Sequence, residues 1–415
     1  MALDRKAVQE AIDEGAGIFR LAPAWVPRSF MIPGRRLKLH PDDIYAYGAH
    51  RGGINERWFA STTKAANGPD TTEFEGLSFI VTKSGKQVLL KDAVEEAGDL
   101  VMGKDAWERE KGWNFFCKFF DNYGPIPHHM HQSDEFAERV GFKGKPEAYY
   151  FPPQYNQTFN LFPHTFMGLE PGTTKDQILD CLRKWDQGDN GITYHARAYR
   201  LEPGAGWQIN PGILHAPGSL CTYEPQVNSD VFGMFQSEVD GRTVPWDLLV
   251  KDVPDDFKRD LDYIVSMLDW DANTDENFGA NNKVFPRLVR EQAEMEQEGY
   301  IEKWVCYGTR FYSAKELTVQ PGRTVTVKDA EAYGLIVTQG HGDFGGTPVS
   351  TPSMIRFGAL TEDELFVTAP AAQAGVKITN RSTTDPLVIL KHFGPGNPDA
   401  ASLLKTKLGP SSWSK

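Results

Sequence analysis

The chain has 415 residues, 40% hydrophobic and 24% charged, a globular composition with room for two or three domains that excludes a disordered chain. Its formal net charge of −12, with Arg35-Arg36-Leu37-Lys38 as the densest basic cluster, argues against a nucleic-acid or anionic-membrane partner. Cys117, Cys181, Cys221 and Cys306 lie far apart, so reduced thiols are expected rather than a zinc ribbon or a disulfide scaffold.

No apolar core of signal-peptide length opens the chain, and no run approaches the roughly 18 apolar residues of a membrane span. A cytoplasmic protein without a membrane partner is therefore expected. The first predicted element is an amphipathic helix capped by Asp4, with Val8 and Ile12 on one face and Gly15 as its stop. LSFIVTK and KQVLL read as strands and LKDAVEEAGDLVMG as a helix. From Asn114 the pattern is a strand (NFFCKFFD), a turn, a histidine-bearing strand and another strand (EAYYF). Thr174 and Gln177 then form a capping box for a helix whose stripe is Ile178, Leu182 and Trp185.

Strands return with ITYHARAYRL, GWQI and the segment around His215, separated by Pro-Gly turns. Phe257, Leu261, Ile264, Val265 and Leu268 follow the helical period, and the polar loop DWDANTDENFGANN precedes a further helix. From Ile301 onward short strands follow one another: ELTVQ, TVTV, GLIVTQG, SMIRFG, LFVTA, VKITN and PLVILKHF. Such spacing implies a barrel or sandwich. The whole reads as mainly β, two β-barrel regions with helices inserted beside and between them.

Six of the ten histidines fall between His128 and His215. His129 and His131 are two apart in a predicted strand and so share a face. Glu147 follows His131 by 16 residues on the next strand, and His215 follows a Pro-Gly turn. Three neutral imidazoles and one carboxylate suit one divalent metal ion, Zn first, with Mn, Fe, Co or Ni as alternatives. A lone strand histidine is ordinarily a surface or hydrogen-bonded core residue, and His164 and His195 are read that way. His128 should face opposite to His129, as a supporting or substrate-facing group. His341 and His392 are too isolated to form a second site.

These residues resemble the active-site core of the class I mannose-6-phosphate isomerases of the cupin superfamily. The matching residues are His129-Met130-His131, the acidic stretch Asp134-Glu135, Gly144-Lys145-Pro146-Glu147, and Pro211-Gly212-Ile213-Leu214-His215-Ala216. More loosely, Glu56-Arg57-Trp58-Phe59-Ala60-Ser61 resembles an early strand of that family, and Phe116 to Asp121 its strand before the ligand pair. The chain departs from the family at His129, where the family has Gln. It departs also at Met234, where the family has a catalytic Arg, and at Pro217 in place of Tyr.

The resemblance implies a bicupin: residues 1–170 hold the N-terminal part and the start of the catalytic cupin barrel, 171–190 a helical insertion, and 191–250 its closing strands. Residues 251–300 are a helical connection and 301–415 a C-terminal metal-free cupin-like barrel. It also implies aldose–ketose isomerisation through an enediol stabilised by the ion, on a small-molecule sugar or sugar derivative. The lost Arg makes a non-phosphorylated substrate admissible. Lys145 is the residue that the resemblance marks as catalytic. Tyr149, on the face of Lys145 and Glu147, and Lys118, to which Asp121 could pair, are the substrate-binding candidates with His128. A cupin oxygenase, decarboxylase or lyase is the alternative in another enzyme class, and a non-catalytic sugar-binding cupin is a third reading. Exposed barrel edges admit a homodimer.

Overall fold

Alternation along strands buried on both faces organises the molecule. In the strand Phe115–Phe120 every residue is buried. Phe115, Cys117 and Phe119 join one apolar core, while Lys118 and Phe120 line a cavity on the other side. The computed structural model describes residues 5–157 and 163–404.

The first barrel consists of a seven-stranded and a five-stranded antiparallel sheet. The larger sheet includes Ala24–Arg28, Gly53–Phe59, Phe115–Phe120, Thr222–Val227, Glu147–Tyr150 and Gly206–Ile209. The smaller runs through Ala196–Arg200, His164–Leu169, His215–Ala216, His129–Met130 and Gly233–Met234. Phe120, Tyr149, Trp207 and Ile209 from one sheet meet Met167 from the other in a shared core. The second barrel pairs a nine-stranded with a four-stranded sheet, and Leu317, Val337 and Ile389 pack there against Val325, Phe344 and Ile378. Between the barrels lies a third layer of packing: Phe119, Ala148, Tyr150 and Tyr223 from the first meet Cys306, Ala314, Ile336 and Leu390 from the second.

A helical subdomain covers the outer face of the five-stranded sheet. The helix Lys175–Arg183 has the expected Thr174–Gln177 capping box, and its buried Ile178 and Leu182 join Trp185, Ile264, Val265 and Leu268 in one cluster. The mainly β fold with inserted helices is thus as the sequence implies.

Several local expectations change. The N-terminal helix runs Arg5–Gly15 with Val8 buried, but its expected cap, Asp4, lies outside the described residues. The polar stretch after Leu268 contains two short helices, Trp270–Asn273 and Phe278–Asn282; the Asp269 side chain accepts from Ala272 N and caps the first. ITYH is a 3-10 turn, Ile192–His195, so His195 ends a turn rather than sitting in a strand. SMIRFG forms only one isolated bridge, Leu39 to Ile355, because Arg356 and the Phe357 amide turn to the Asp43 carboxylate instead. A hairpin, His341–Phe344 with Thr347–Ser350, was not anticipated; Gly345 and Gly346 supply positive φ for its two-residue turn.

The division at residue 301 does not separate the two barrels' strands. Ile18–Ala22, Phe79–Val81 and Gln87–Leu89, read as belonging with the first barrel, extend the nine-stranded sheet of the second, with Ile18 opposite Val367 and Arg20 opposite both Leu365 and Val81. Their apolar faces are equally served by either barrel, and pairing across the chain decides. Among the described residues no helix is long and apolar enough to cross a membrane.

Candidate metal centre

The period-two reading of the histidine strand holds. His129 and His131 project to one side, and register sets His215 directly opposite His129. The ring centroids of His129, His131 and His215 are 4.1–5.0 Å apart, and one nitrogen of each lies within 4.8 Å of the others. The turn that delivers His215 depends on Gly212, at φ +79°, where an added Cβ would stand 2.8 Å from Asp269 N.

Each imidazole is oriented from behind by a main-chain carbonyl. His129 Nδ1 is 2.9 Å from Pro127 O, His131 Nδ1 2.7 Å from Val231 O, and His215 Nδ1 2.8 Å from Ile213 O. The Nδ1 proton is donated outward in all three, which leaves the Nε2 lone pairs facing one another. Glu147 stands against them, with Oε2 3.1 Å from His131 Nε2 and Oε1 3.2 Å from His215 Nε2. His215 Nε2 is buried without a hydrogen-bond partner.

Burial, then the neighbouring rings, hold His129 well below its usual range, and burial with Lys145 lowers His131 to about 4. Burial alone would push Glu147 up, but Lys145 and His131 hold it well below the usual carboxylate range. Neutral imidazoles converging beside an ionised carboxylate fit a divalent cation.

Lys145 Nζ lies 2.8 Å from Glu147 Oε2, 3.3 Å from His131 Nε2 and 3.6 Å from Glu224 Oε1. It shares the cavity wall with Glu147 and Tyr149, as their spacing implies, and the Tyr149 hydroxyl donates to Glu147 Oε1. The Gly144 before it is pressed against the backbone at Ser133–Asp134, where a Cβ would come to 2.6 Å of Asp134 N. Lys118 lines the same cavity of about 40 Å³, but Asp121 is not its partner. Lys118 is on the strand and Asp121, three residues on, lies just past its end and faces the other way: Lys118 meets Glu224 at 3.3 Å and Glu56 at 3.6 Å, while Asp121 pairs with Arg36 at 2.6 Å. His128 does not line the cavity either. Alternation turns it behind the sheet, fully buried against Phe166, where burial lowers it to about 3.

Four charged groups of the cavity escaped assignment as site residues. Arg28 is 3.2 Å from both Asp230 and Glu56, and Glu224 stands between Lys118 and Lys145. Burial and the Glu147 charge push the Glu224 carboxyl well above its usual range. For Arg28 and Glu224 the sequence signal is a single charge within an apolar strand, AWVPR and TYEPQV. Met234, at the place of the family's Arg, lines the cavity and lies opposite His129.

No family model matches the chain, and no curated protein matches its sequence. Solved structures do match its fold. A protein from Archaeoglobus fulgidus assigned as a mannosephosphate isomerase is 16% identical at TM-score 0.59, with 91% of this chain and 97% of that one covered. The mannose 6-phosphate isomerase from Bacillus subtilis is 14% identical at TM-score 0.58, with 91% and 99% covered. A zinc-bound mannose 6-phosphate isomerase is 12% identical at TM-score 0.58, with 91% and 100% covered. The shared fold is the cupin-type architecture of those enzymes, reached at low identity over nearly the whole chain.

Proposed function

We propose that the chain is a metal-dependent aldose–ketose isomerase acting on a free sugar through an enediol-type intermediate. The observation that carries this reading is the convergence of His129, His131, His215 and Glu147 on one another, with Lys145 Nζ 2.8 Å from the Glu147 carboxylate. Zinc is the proposed ion, as in the zinc-bound isomerase of the same fold. When bound, a divalent ion supplies Lewis acidity toward the adjacent carbonyl and hydroxyl oxygens of a sugar.

The chain's own residues supply the rest. As an ammonium, Lys145 stabilises the negative charge that develops while a proton moves between neighbouring carbons; as an amine it takes that proton. Lys118, Glu56 and Glu224 offer donors and acceptors to sugar hydroxyls. The pairing of the cavity's cations supports a substrate without a phosphate. Arg28, Lys118 and Lys145 each already have a carboxylate within 3.3 Å, and Met234 adds no cation, so no unpaired guanidinium faces a phosphate.

Incubation of the metal-loaded protein with free and phosphorylated sugars in heavy water tests this. Deuterium should enter at C1 or C2 of a free sugar, and its absence across the panel would sink the isomerase. Lys145→Ala should abolish turnover while metal stays bound; full activity would remove Lys145 from the reaction.

A further inference from the structure

The second barrel contains a cavity far larger than that of the metal centre, about 550 Å³ against about 40 Å³. It opens beside the strands Tyr300–Cys306 and Thr324–Val327 and the 3-10 turn Pro398–Leu403. Its size falls within the range of small-molecule sites, about 300–1,000 Å³.

Glu302, Lys315 and Asp399 line it, and Lys391 and Asp329 stand behind them. Register sets Lys315 opposite both Trp304 and Lys391, and Glu302, two residues before Trp304, shares that face. Lys391 Nζ is 2.5 Å from Glu302 Oε1 and 2.7 Å from Asp329 Oδ2. Lys315 Nζ is 2.7 Å from Asp329 Oδ1 and 3.3 Å from Asp399 Oδ2. Glu302, Lys315, Asp329 and Lys391 are all 4% exposed or less. Stability alone does not account for such a network, since well-packed apolar side chains commonly serve as well or better.

Two ammonium groups stand among three carboxylates, Glu302, Asp329 and Asp399, and each ammonium meets two of them. Lys315 also lies 4.6 Å over the Trp304 ring, and at the rim Arg290 is bridged to Glu298 at 2.7 Å. Because each buried cation is held by two carboxylates, an anionic ligand would find no free ammonium in Lys315 or Lys391. A ligand bearing several hydroxyls can donate to the carboxylates and accept from the cations at once.

We propose that this cavity is a binding site for a neutral polyhydroxylated ligand, a mono- or disaccharide, separate from the metal centre. The site stands independently of the isomerase reading. Full-length metal-loaded protein would be titrated calorimetrically with D-glucose, D-mannose, maltose and cellobiose, with D-glucose 6-phosphate as the charged comparator. Ser402→Trp and Thr326→Trp fill the mouth from exposed rim positions without touching the ion network. His215→Ala and Glu147→Gln disable the metal centre instead.

At least one neutral sugar should still bind in His215→Ala or Glu147→Gln. That binding should weaken at least about tenfold in one of the rim variants, with melting temperature and metal content unchanged. Failure of the isomerase would leave this result intact. The proposal is overturned if all sugar binding disappears with the metal centre, if both rim variants bind as wild type, or if the phosphorylated sugar binds this cavity more tightly than the free sugars.

Discussion

Arg28 is the cavity residue with the most to hold together. It is 3% exposed, its guanidinium meets both Asp230 oxygens and Glu56, and Glu56 in turn lies 3.6 Å from Lys118. Burial opposes its charge, but Asp230 and Glu56 raise it, and both carboxyls are held low in return. Truncation would leave two buried carboxylates facing a gap. Arg28→Ala should therefore cost about 3–5 kcal/mol in urea unfolding, and a loss under about 1 kcal/mol would mean the network carries little. Arg28→Lys should recover only part, because an ammonium cannot reproduce the two-pronged contact with Asp230. At this scale the candidate metal-binding histidines were legible because alternation puts His129 and His131 on one face and a glycine turn delivers His215. Arg28 and Glu224 were not. A lone charge in an apolar strand looks the same whether it faces solvent or a cavity, and Lys118 with Asp121 shows how an odd separation defeats a guessed pair.

Between elements, the strand Gly53–Phe59 of the first barrel is tied to Glu364–Val367 of the second through Arg57. Its guanidinium takes Asp363 at 2.8 Å from both nitrogens and Glu364 at 3.1 Å. With Asp363 already neutralising Arg57, burial dominates at Glu364 and raises its carboxyl to about 8 from an ordinary 4.5. Between those values the folded chain keeps a proton that the unfolded chain has lost. Stability from this group is thus full at low pH, falls as pH rises from about 4.5 to 8, and levels off above. Glu364→Gln should remove that fall, so the variant gains at least about 1 kcal/mol on wild type between pH 5 and 9 by denaturant titration. A pH-independent difference would contradict it. Strands themselves were largely legible from their apolar runs, but their destinations were not. Ile18–Ala22 carries nothing that announces pairing with Glu364–Val367 some 345 positions later, since sheet partners are chosen by long-range packing.

Taken whole, the molecule interlocks two barrels that the sequence presents as successive. The first strand of the chain, Ile18–Ala22, is an interior member of the second barrel's nine-stranded sheet, between Glu364–Val367 and Phe79–Val81. Buried polar links cross the same boundary: Tyr150 donates to Glu316 at 2.8 Å, and the Tyr223 hydroxyl is 2.9 Å from His392 Nδ1. Separation would expose the shared apolar layer of Phe119, Ala148, Leu390 and Phe366, and it would strand Arg57 from Asp363 and Glu364. Neither barrel can therefore melt while the other keeps its native surface. Calorimetry should give one transition whose calorimetric and van't Hoff enthalpies agree, unlike a chain of independent domains. A fragment ending near residue 300 should lack cooperative unfolding, because it would retain Ile18–Ala22 without the strand that holds it. Two resolved transitions, or a folded fragment with intact metal affinity, would show that the layer between the barrels is a contact of convenience rather than a common core.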